Sequence, residues 1–479
     1  MVAPAPEGVV VTGLGLATSL GFGLTLNWQR LLAGDSAIAE LDPGQFALPI
    51  RLPVRLGAPV NRDELARRIR AAVPRQVWNT SAEECHLWLL AALEALRMAG
   101  FGVNGAGRDA ARAPHAEPAA GLRAGHDGEA SAAAVALPPG VDAAQVGVWV
   151  GSGAGAAHFI EQEYINVYTA AREVHRDISR MAVPKYMTSS FAAQLSILAG
   201  LKGPSLALNS ACSSGASALL VALDALRLGR VDMAVVGGAD MPLVASVLKG
   251  FANLGALSAQ QARGAQASRP FDAARDGFVL GEGAGCLVLE RASHAVGRGA
   301  TPLARLLGGA LTSEAHHLLA PREQGQAMAD CMQRALRDAH VDPVQVAHVY
   351  SHGTGTHYND QCEASALNGV LPHRPTVSAS KAQLGHTLGA AGAVDAVLAA
   401  QSLGTGQVLP LAHLEQLDAD CPIQPARQAR DGGLENGQGV VLVNSFAFGG
   451  HNATLVLGAV RAWPGVRVIP APGDAGSWP

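Results

Sequence analysis

Aromatic residues are scarce: Phe, Trp and Tyr make up 4% of 479 residues. The core must then be filled by Ala, Val, Leu and Gly, which favours helices lying close on strands. Paired cysteines are lacking too. Cys85, Cys212, Cys286, Cys331, Cys362 and Cys421 are scattered without C-x-x-C spacing. In a chain of this length they read as reduced thiols of a cytoplasmic protein, not as a disulfide framework. Neither sign of charge dominates, with 35 Lys+Arg against 39 Asp+Glu. That leaves no basic footprint for nucleic acid, and the 49% hydrophobic content excludes a disordered chain. No uninterrupted apolar run approaches the roughly 18 residues of a membrane span. Gly8–Leu26 is mostly apolar, but Glu7 and no Lys or Arg precedes it, and glycines interrupt it. It reads as a buried strand, a Gly-rich turn and a helix, not as a signal segment.

What is abundant is glycine, with 56 residues, and proline, with 27. The glycines have no three-residue period, which excludes a collagen-like chain. The length allows two to four domains or one large α/β assembly. Short β-branched runs alternate with Ala/Leu-rich stretches. Strands are expected at 9–12, 146–150, 205–209, 233–236 and 286–289, and again at 347–351, 376–380, 440–444 and 453–457. Helices are expected at 83–98, 215–228, 324–339, 361–368 and 392–402. This alternation predicts an α/β fold of helix-covered sheets, and the two sets of strands are compatible with two similar halves. Residues 103–145, rich in Ala, Gly, Pro and Arg without an aromatic, read as a surface insertion or disordered loop. The tail after Val460 reads as irregular.

Four stretches put reactive residues at strand-to-helix corners, where sites are built. Asn209-Ser-Ala-Cys212-Ser-Ser-Gly places a thiol at a helix N-terminus, whose dipole favours the nucleophilic thiolate. Ser351-His352-Gly-Thr-Gly-Thr356 follows a strand and leads to Asp360 and Glu363, two acids at helical spacing. Ser380-Lys381-Ala-Gln-Leu-Gly-His386 shares a lysine and an imidazole in one turn. Phe446-Ala-Phe448-Gly449-Gly450-His-Asn452 is an aromatic-bearing glycine loop between strands. Singly each has a bland reading: a small buried Cys, a satisfied His, first-turn acids, an exposed Lys, a glycine hairpin. Together they supply a thiol nucleophile, two imidazoles, a lysine and a loop. A zinc site from Cys212, His352 and His386 is the weaker alternative, since no short-range ligand pair accompanies them. The run Arg67, Arg68, Arg70 and Arg75 is either a solvated helix face or a patch for an acidic partner.

With these motifs in this order, the chain resembles the β-ketoacyl-acyl-carrier-protein synthases of fatty-acid and polyketide synthesis. The likeness runs from Val9 to about Leu457. It includes Ser268-Arg-Pro-Phe-Asp272, Arg275–Gly285 and Gly389-Ala-Ala-Gly392. The resemblance implies a thiolase-like fold of two α/β halves stacked as α-β-α-β-α layers. Residues 1–268 would carry the nucleophile, 269–460 the histidines, and 461–479 a tail. It implies that Cys212 is acylated from an acyl carrier protein, with the N–H groups of Cys212 and Phe448 as oxyanion hole. His352 and His386, as neutral imidazoles, would stabilise the enolate formed when malonyl carrier protein loses CO₂. Lys381 would pair with Glu363, with Asp360 in support. Thr354 and Thr356 would bind the pantetheine arm, with Phe446 and Asn452 in the same substrate region. Phe448 with Gly449 and Gly450 would gate the acyl channel, and the arginine run would dock the carrier protein. The resemblance implies no metal or organic cofactor beyond phosphopantetheine-borne substrates. It also implies a homodimer, or a heterodimer with a paralogous chain-length-factor-like subunit. Two departures stand out. Ala447 replaces a glycine of the gate loop, and Ala154 replaces a larger residue lining the acyl pocket, which suggests a long or unusual acyl chain. An acyltransferase without decarboxylation and a non-catalytic partner subunit are the competing readings.

Overall fold

The computed structural model describes residues 7–42, 44, 54–103, 135–169, 178–430, 432–434 and 439–460. Ten strands carry the fold. They are β1 (Val9–Thr18), β2 (Val146–Gly151), β3 (Ser205–Leu208), β4 (Met233–Asp240) and β5 (Gly283–Arg291). The second five are β6 (Ala304–Ser313), β7 (Val346–Tyr350), β8 (Thr376–Ser378), β9 (Val440–Ala447) and β10 (His451–Gly458). The first five lie in the order β1-β5-β4-β2-β3, and the next five repeat it as β6-β10-β9-β7-β8. The sense of pairing repeats as well: two antiparallel contacts, then two parallel ones, in each set. Among the described residues the two sets of strands pair only where Val9–Val11 meets Ala304–Leu306. On this ladder Gly283–Arg291 belongs with the first set. We therefore propose that the halves divide between Arg291 and Ala304, and not at 268/269.

Alternation along each strand builds the layers. Leu287 and Leu289 of β5, and Ala453, Leu455 and Leu457 of β10, face one shared inner core. Their neighbours Cys286 and Val288 face a second core, and Val456 faces a third. The inner layer is a pair of helices, Ser214–Arg227 and Ala391–Thr405. Glu83–Met98 covers the first half of the sheet and Gln326–Asp338 the second, with His357–Val370 packed on Gln326–Asp338 in the same core. Truncating one of the fully buried leucines to Ala costs about 2–5 kcal/mol.

All nine expected strands form, but β6 was not expected, because Gly308-Gly309 in its middle reads as a turn. Those glycines are spacers instead. A Cβ at Gly309 would lie 2.3 Å from Leu220 of the inner helix. Close packing also carries β1 beyond Thr12 through two glycines, since a Cβ at Gly15 would lie 1.9 Å from the Ala91 carbonyl of Glu83–Met98. Residues 104–134 of the expected insertion, and the tail after 460, lie outside the described residues. The insertion's flanks are more regular than expected. Gly102–Val103 pairs with Val135–Ala136, Val135 is buried, and Ala143–Gln145 forms a short helix capped by Asp142.

Candidate active site

Strand β3 ends just before the thiol. Ala211 then takes a left-handed φ of 50°, a strain of about 1–3 kcal/mol for a residue with a Cβ. The neighbouring serines hold the bend. Ser213 Oγ donates to Ser210 O at 2.8 Å, and Ser214 Oγ donates to Ala211 O at 2.6 Å. Cys212 emerges immediately ahead of the helix starting at Ser214. Gly215 in its first turn lies 2.9 Å from Ala393 Cβ and Gly389 O, measured from where its own Cβ would be, so the facing helix fits close.

The second half brings the imidazoles. His352 follows β7, and the helix His357–Val370 turns two acids back onto its loop. Glu363 accepts from the His352 and Gly353 amides at 2.8 Å each. Asp360 accepts from Thr354 N at 3.0 Å and Phe271 N at 2.8 Å and faces Arg275 at 3.6 Å. Both acids are fully buried, so they are neither surface charge nor simple first-turn stabilisers. Burial pushes Glu363 up to about 7 despite its amide donors, and raises Asp360 as well.

Strand β8 delivers Lys381 and His386. The expected Lys381–Glu363 pair does not form. Lys381 Nζ faces Asp395 Oδ2 at 3.5 Å, both side chains being buried, while Glu363 is engaged by its own loop and by Asn444 Nδ2 at 3.2 Å. His386 is fixed through its backbone, donating to Val279 O at 2.7 Å and accepting from Gly281 N at 3.0 Å. Its Nε2 lies 3.2 Å from Cys212 Sγ, and the His352 and His386 rings meet edge to face at 5.4 Å.

The electrostatics correct one expectation and agree with another. Burial, opposed by the Lys381 charge and by the N–H groups of Cys212 and Phe448, pushes the Cys212 thiol up to about 12. At rest the thiol is neutral, because desolvation outweighs the helix dipole. Both imidazoles are held well below their ordinary range, first by burial and then by Lys381, with His386 adding to the effect at His352. Neutral rings are the form that donates to a developing enolate without a standing charge.

The gate loop joins β9 to β10, with Gly449 and Gly450 at φ of 86° and 70°. Phe448 lies 6.5 Å from Phe251, ring to ring, and Phe251 packs on the apolar cluster holding Cys212, with Ala154 and Ala447 at its edge. Phe448 also lines a cavity of about 250 Å³ with Thr356, Phe446, Gly450 and Asn452. Thr354 is outside that lining but hydrogen-bonds Thr356 through their hydroxyls at 3.0 Å. Asn452 Nδ2 donates to Glu314 at 3.2 Å.

The arginines stand apart from this cluster. Arg67 and Arg68 both reach Glu64 at 2.6 Å, and Arg70 sits 4.9 Å over the Trp78 ring. Arg75 is exposed. Sequence reasoning missed Asp395 and Asp240. The available signal was a lone acid inside an apolar helix or strand, since Asp is rarely buried without partners. Among the described residues no group of three or more His, Cys, Asp or Glu is placed to hold a metal, and no helix is long and apolar enough to cross a membrane.

The chain also matches known proteins. Residues 6–295 match the beta-ketoacyl synthase N-terminal domain, and 303–415 match the C-terminal domain. The chain is 31% identical to a 3-oxoacyl-(acyl-carrier-protein) synthase 2 of Coxiella burnetii, covering 94% of this chain and 98% of that one. It is similar, at TM-score 0.78 and 26% identity, to a ketosynthase solved in complex with its type II PKS acyl-carrier protein, covering 95% of this chain and 100% of that one. A third likeness is the ishigamide ketosynthase/chain length factor, at TM-score 0.77 and 27% identity with the same coverage.

Proposed function

We propose, for a chain that belongs to the β-ketoacyl synthase family, that the Cys212 cluster is where its chemistry occurs. The enzyme catalyses a Claisen condensation with malonyl carrier protein in fatty-acid or polyketide synthesis. It has a thiolase-like fold of two related halves. The observation that carries the site assignment is the 3.2 Å approach of His386 Nε2 to Cys212 Sγ, with a second neutral imidazole at its side.

In the proposed sequence, Cys212 sulfur attacks the thioester carbonyl of an acyl carrier protein. The carbonyl oxygen takes up charge facing the Cys212 and Phe448 amides, a stabilisation of roughly 2.7–4 kcal/mol per donor in other enzymes. The carbon–sulfur bond to pantetheine breaks, and the Cys212 proton ends on the departing sulfur. Malonyl carrier protein then occupies the site. Its carboxylate leaves as CO₂, and the bonding pair moves onto the thioester as an enolate held by His352 and His386. The enolate carbon bonds to the acyl carbonyl, Cys212 leaves as thiolate, and it takes from solvent the one proton that the overall reaction consumes. Lys381, held by Asp395, opposes the rise of the thiol and adds to burial in keeping both rings neutral. Glu363 and Asp360 fix the His352 loop. Thr354 and Thr356 meet the pantetheine arm, Phe446 and Asn452 line its approach, and Phe448 gates between cavity and acyl pocket. Ala154 leaves that pocket deep enough for a long chain. The substrates bring their own phosphopantetheine, and the residues need no other cofactor.

The acidic carrier protein docks on Arg67, Arg68, Arg70 and Arg75, and the six free buried thiols support a cytoplasmic setting. A homodimer is supported by the outer edge of β3, unpartnered among the described residues, where Leu206 is exposed and Ile197 of the neighbouring helix is 71% exposed. A paralogous chain-length-factor-like subunit on that edge is the alternative, and sedimentation of the purified chain alone separates the two. The deciding assay is CO₂ release with β-ketoacyl product from malonyl carrier protein. Wild-type enzyme gives both, and product persisting in Cys212→Ala would refute the acyl-cysteine route.

A further inference from the structure

Asp240 ends β4, an otherwise apolar strand, and is fully buried. Among the described residues no Lys or Arg forms an ion pair with it. Its charge is met by four donors instead. Oδ1 accepts from Ser152 Oγ at 2.6 Å and Ala154 N at 3.0 Å. Oδ2 accepts from Gly153 N at 2.8 Å and Gly389 N at 2.7 Å. Three of these donors belong to the loop after β2 that carries Ala154. The fourth belongs to the turn that carries His386.

The two loops also touch directly. A Cβ at Gly389 would lie 2.3 Å from Gly153 N, and one at Gly153 would lie 3.3 Å from both Gly389 N and the Ala211 carbonyl. One carboxylate is thus bonded to the acyl-pocket loop of the first half and the imidazole turn of the second, beside the residue preceding Cys212. Its charge reaches the sulfur, where it opposes the thiolate behind burial and against Lys381. Burial raises Asp240 to about 6 even with four donors, so this charge is held at some cost.

We propose that Asp240 is a positioning residue for the condensation: its carboxylate clamps the Ala154 loop to the His386 turn and so fixes the imidazole against Cys212. The proposal rests on the assignment of chemistry to the Cys212 cluster. An amide in its place offers one acceptor oxygen and turns an NH₂ toward backbone N–H donors, which parts the loops.

The test compares full-length wild type with Asp240→Asn in two measurements, alongside a melting curve. The first is kcat and KM for condensation with malonyl carrier protein. The second is the rate of Cys212 alkylation by iodoacetamide at one mildly alkaline pH, with Cys212→Ala as blank. Expected are a fall in kcat of roughly 100-fold, the scale of an ångström misplacement, with KM little changed, and alkylation several-fold faster because an opposing charge is gone. A merely structural defect does not split the two readouts in opposite directions. A kcat within about twofold of wild type, or a lower kcat with unchanged alkylation, overturns the proposal. If Asp240→Asn does not fold, Ser152→Ala decides, since it removes one donor and keeps the charge. It should lower kcat several-fold with alkylation unchanged, and an unchanged kcat overturns the clamp. Absence of product from wild type refutes the condensation reading instead, and the alkylation contrast then still reads whether the Asp240 charge acts on Cys212.

Discussion

Asp395→Leu isolates the pair at the centre of the site. Lys381 and Asp395 are both buried and 3.5 Å apart, and Ser380 Oγ donates to the same carboxylate. Removing the carboxylate strands an ammonium in the interior, which costs about 3–5 kcal/mol. The unsatisfied Ser380 hydroxyl adds about 1 kcal/mol. Against a total stability of about 5–15 kcal/mol that is severe. Removing both charges together, in Lys381→Met/Asp395→Leu, should restore most of the stability, because a buried pair is often replaceable by apolar residues of similar size. The double variant should still not condense, because Lys381 opposes the raised Cys212 thiol and holds down both imidazoles. Urea unfolding of wild type, Lys381→Met, Asp395→Leu and the double variant gives the coupling energy, and the CO₂ assay gives the activity. A cost below about 1 kcal/mol for Asp395→Leu, or condensation returning in the double variant, would refute the reasoning.

Three other outcomes are expected. Burial raises Glu84 to about 7, and only one of its oxygens is bonded, by His158 N at 2.8 Å. Its folded pKa lies above the unfolded one, so stability present below about pH 4.5 is lost as pH rises through 7. Glu84→Gln should therefore be the more stable protein above pH 7, by on the order of 3 kcal/mol, and lose that advantage below pH 4.5; equal gains at both ends would count against it. Ala154→Ile should shift acyl-chain preference to shorter chains in acylation profiling, and unchanged long-chain acceptance sinks the deep-pocket proposal. Arg75→Glu should raise KM for carrier-protein substrates at low salt, while a small thioester is turned over as before. Equal loss with both substrates would remove Arg75 from the docking face.

Local signals proved legible and tertiary ones did not. Glu83–Met98 forms a helix over the expected span, because its apolar pattern is unbroken. Cys212 does stand at a helix start, as a strand-to-helix turn requires. Its charge state was misjudged, because the dipole is written in the neighbouring residues and the desolvation is not. The same limit explains Lys381. Two acids at helical spacing drew attention to Glu363, but their carboxylates fold back on the amides before them. The true partner was visible only as an Asp in the apolar run Ala-Val-Asp395-Ala-Val.

The repeated strand order puts the reactive groups in matching places. Cys212 follows the third strand of the first set, and Lys381 with His386 follows the third strand of the second. His352 follows the second strand of its set, as Ala154 does in the other. Gly215 and Gly392 hold the two inner helices together, and a Cβ at Gly392 would lie 2.8 Å from that of Ala216. The reach from sulfur to imidazole is therefore set by how near two copies of one scaffold can lie. A methyl group added at that contact would separate nucleophile from imidazole without touching either, and duplicates of this scaffold could diverge in chemistry only while the spacing between them stayed fixed.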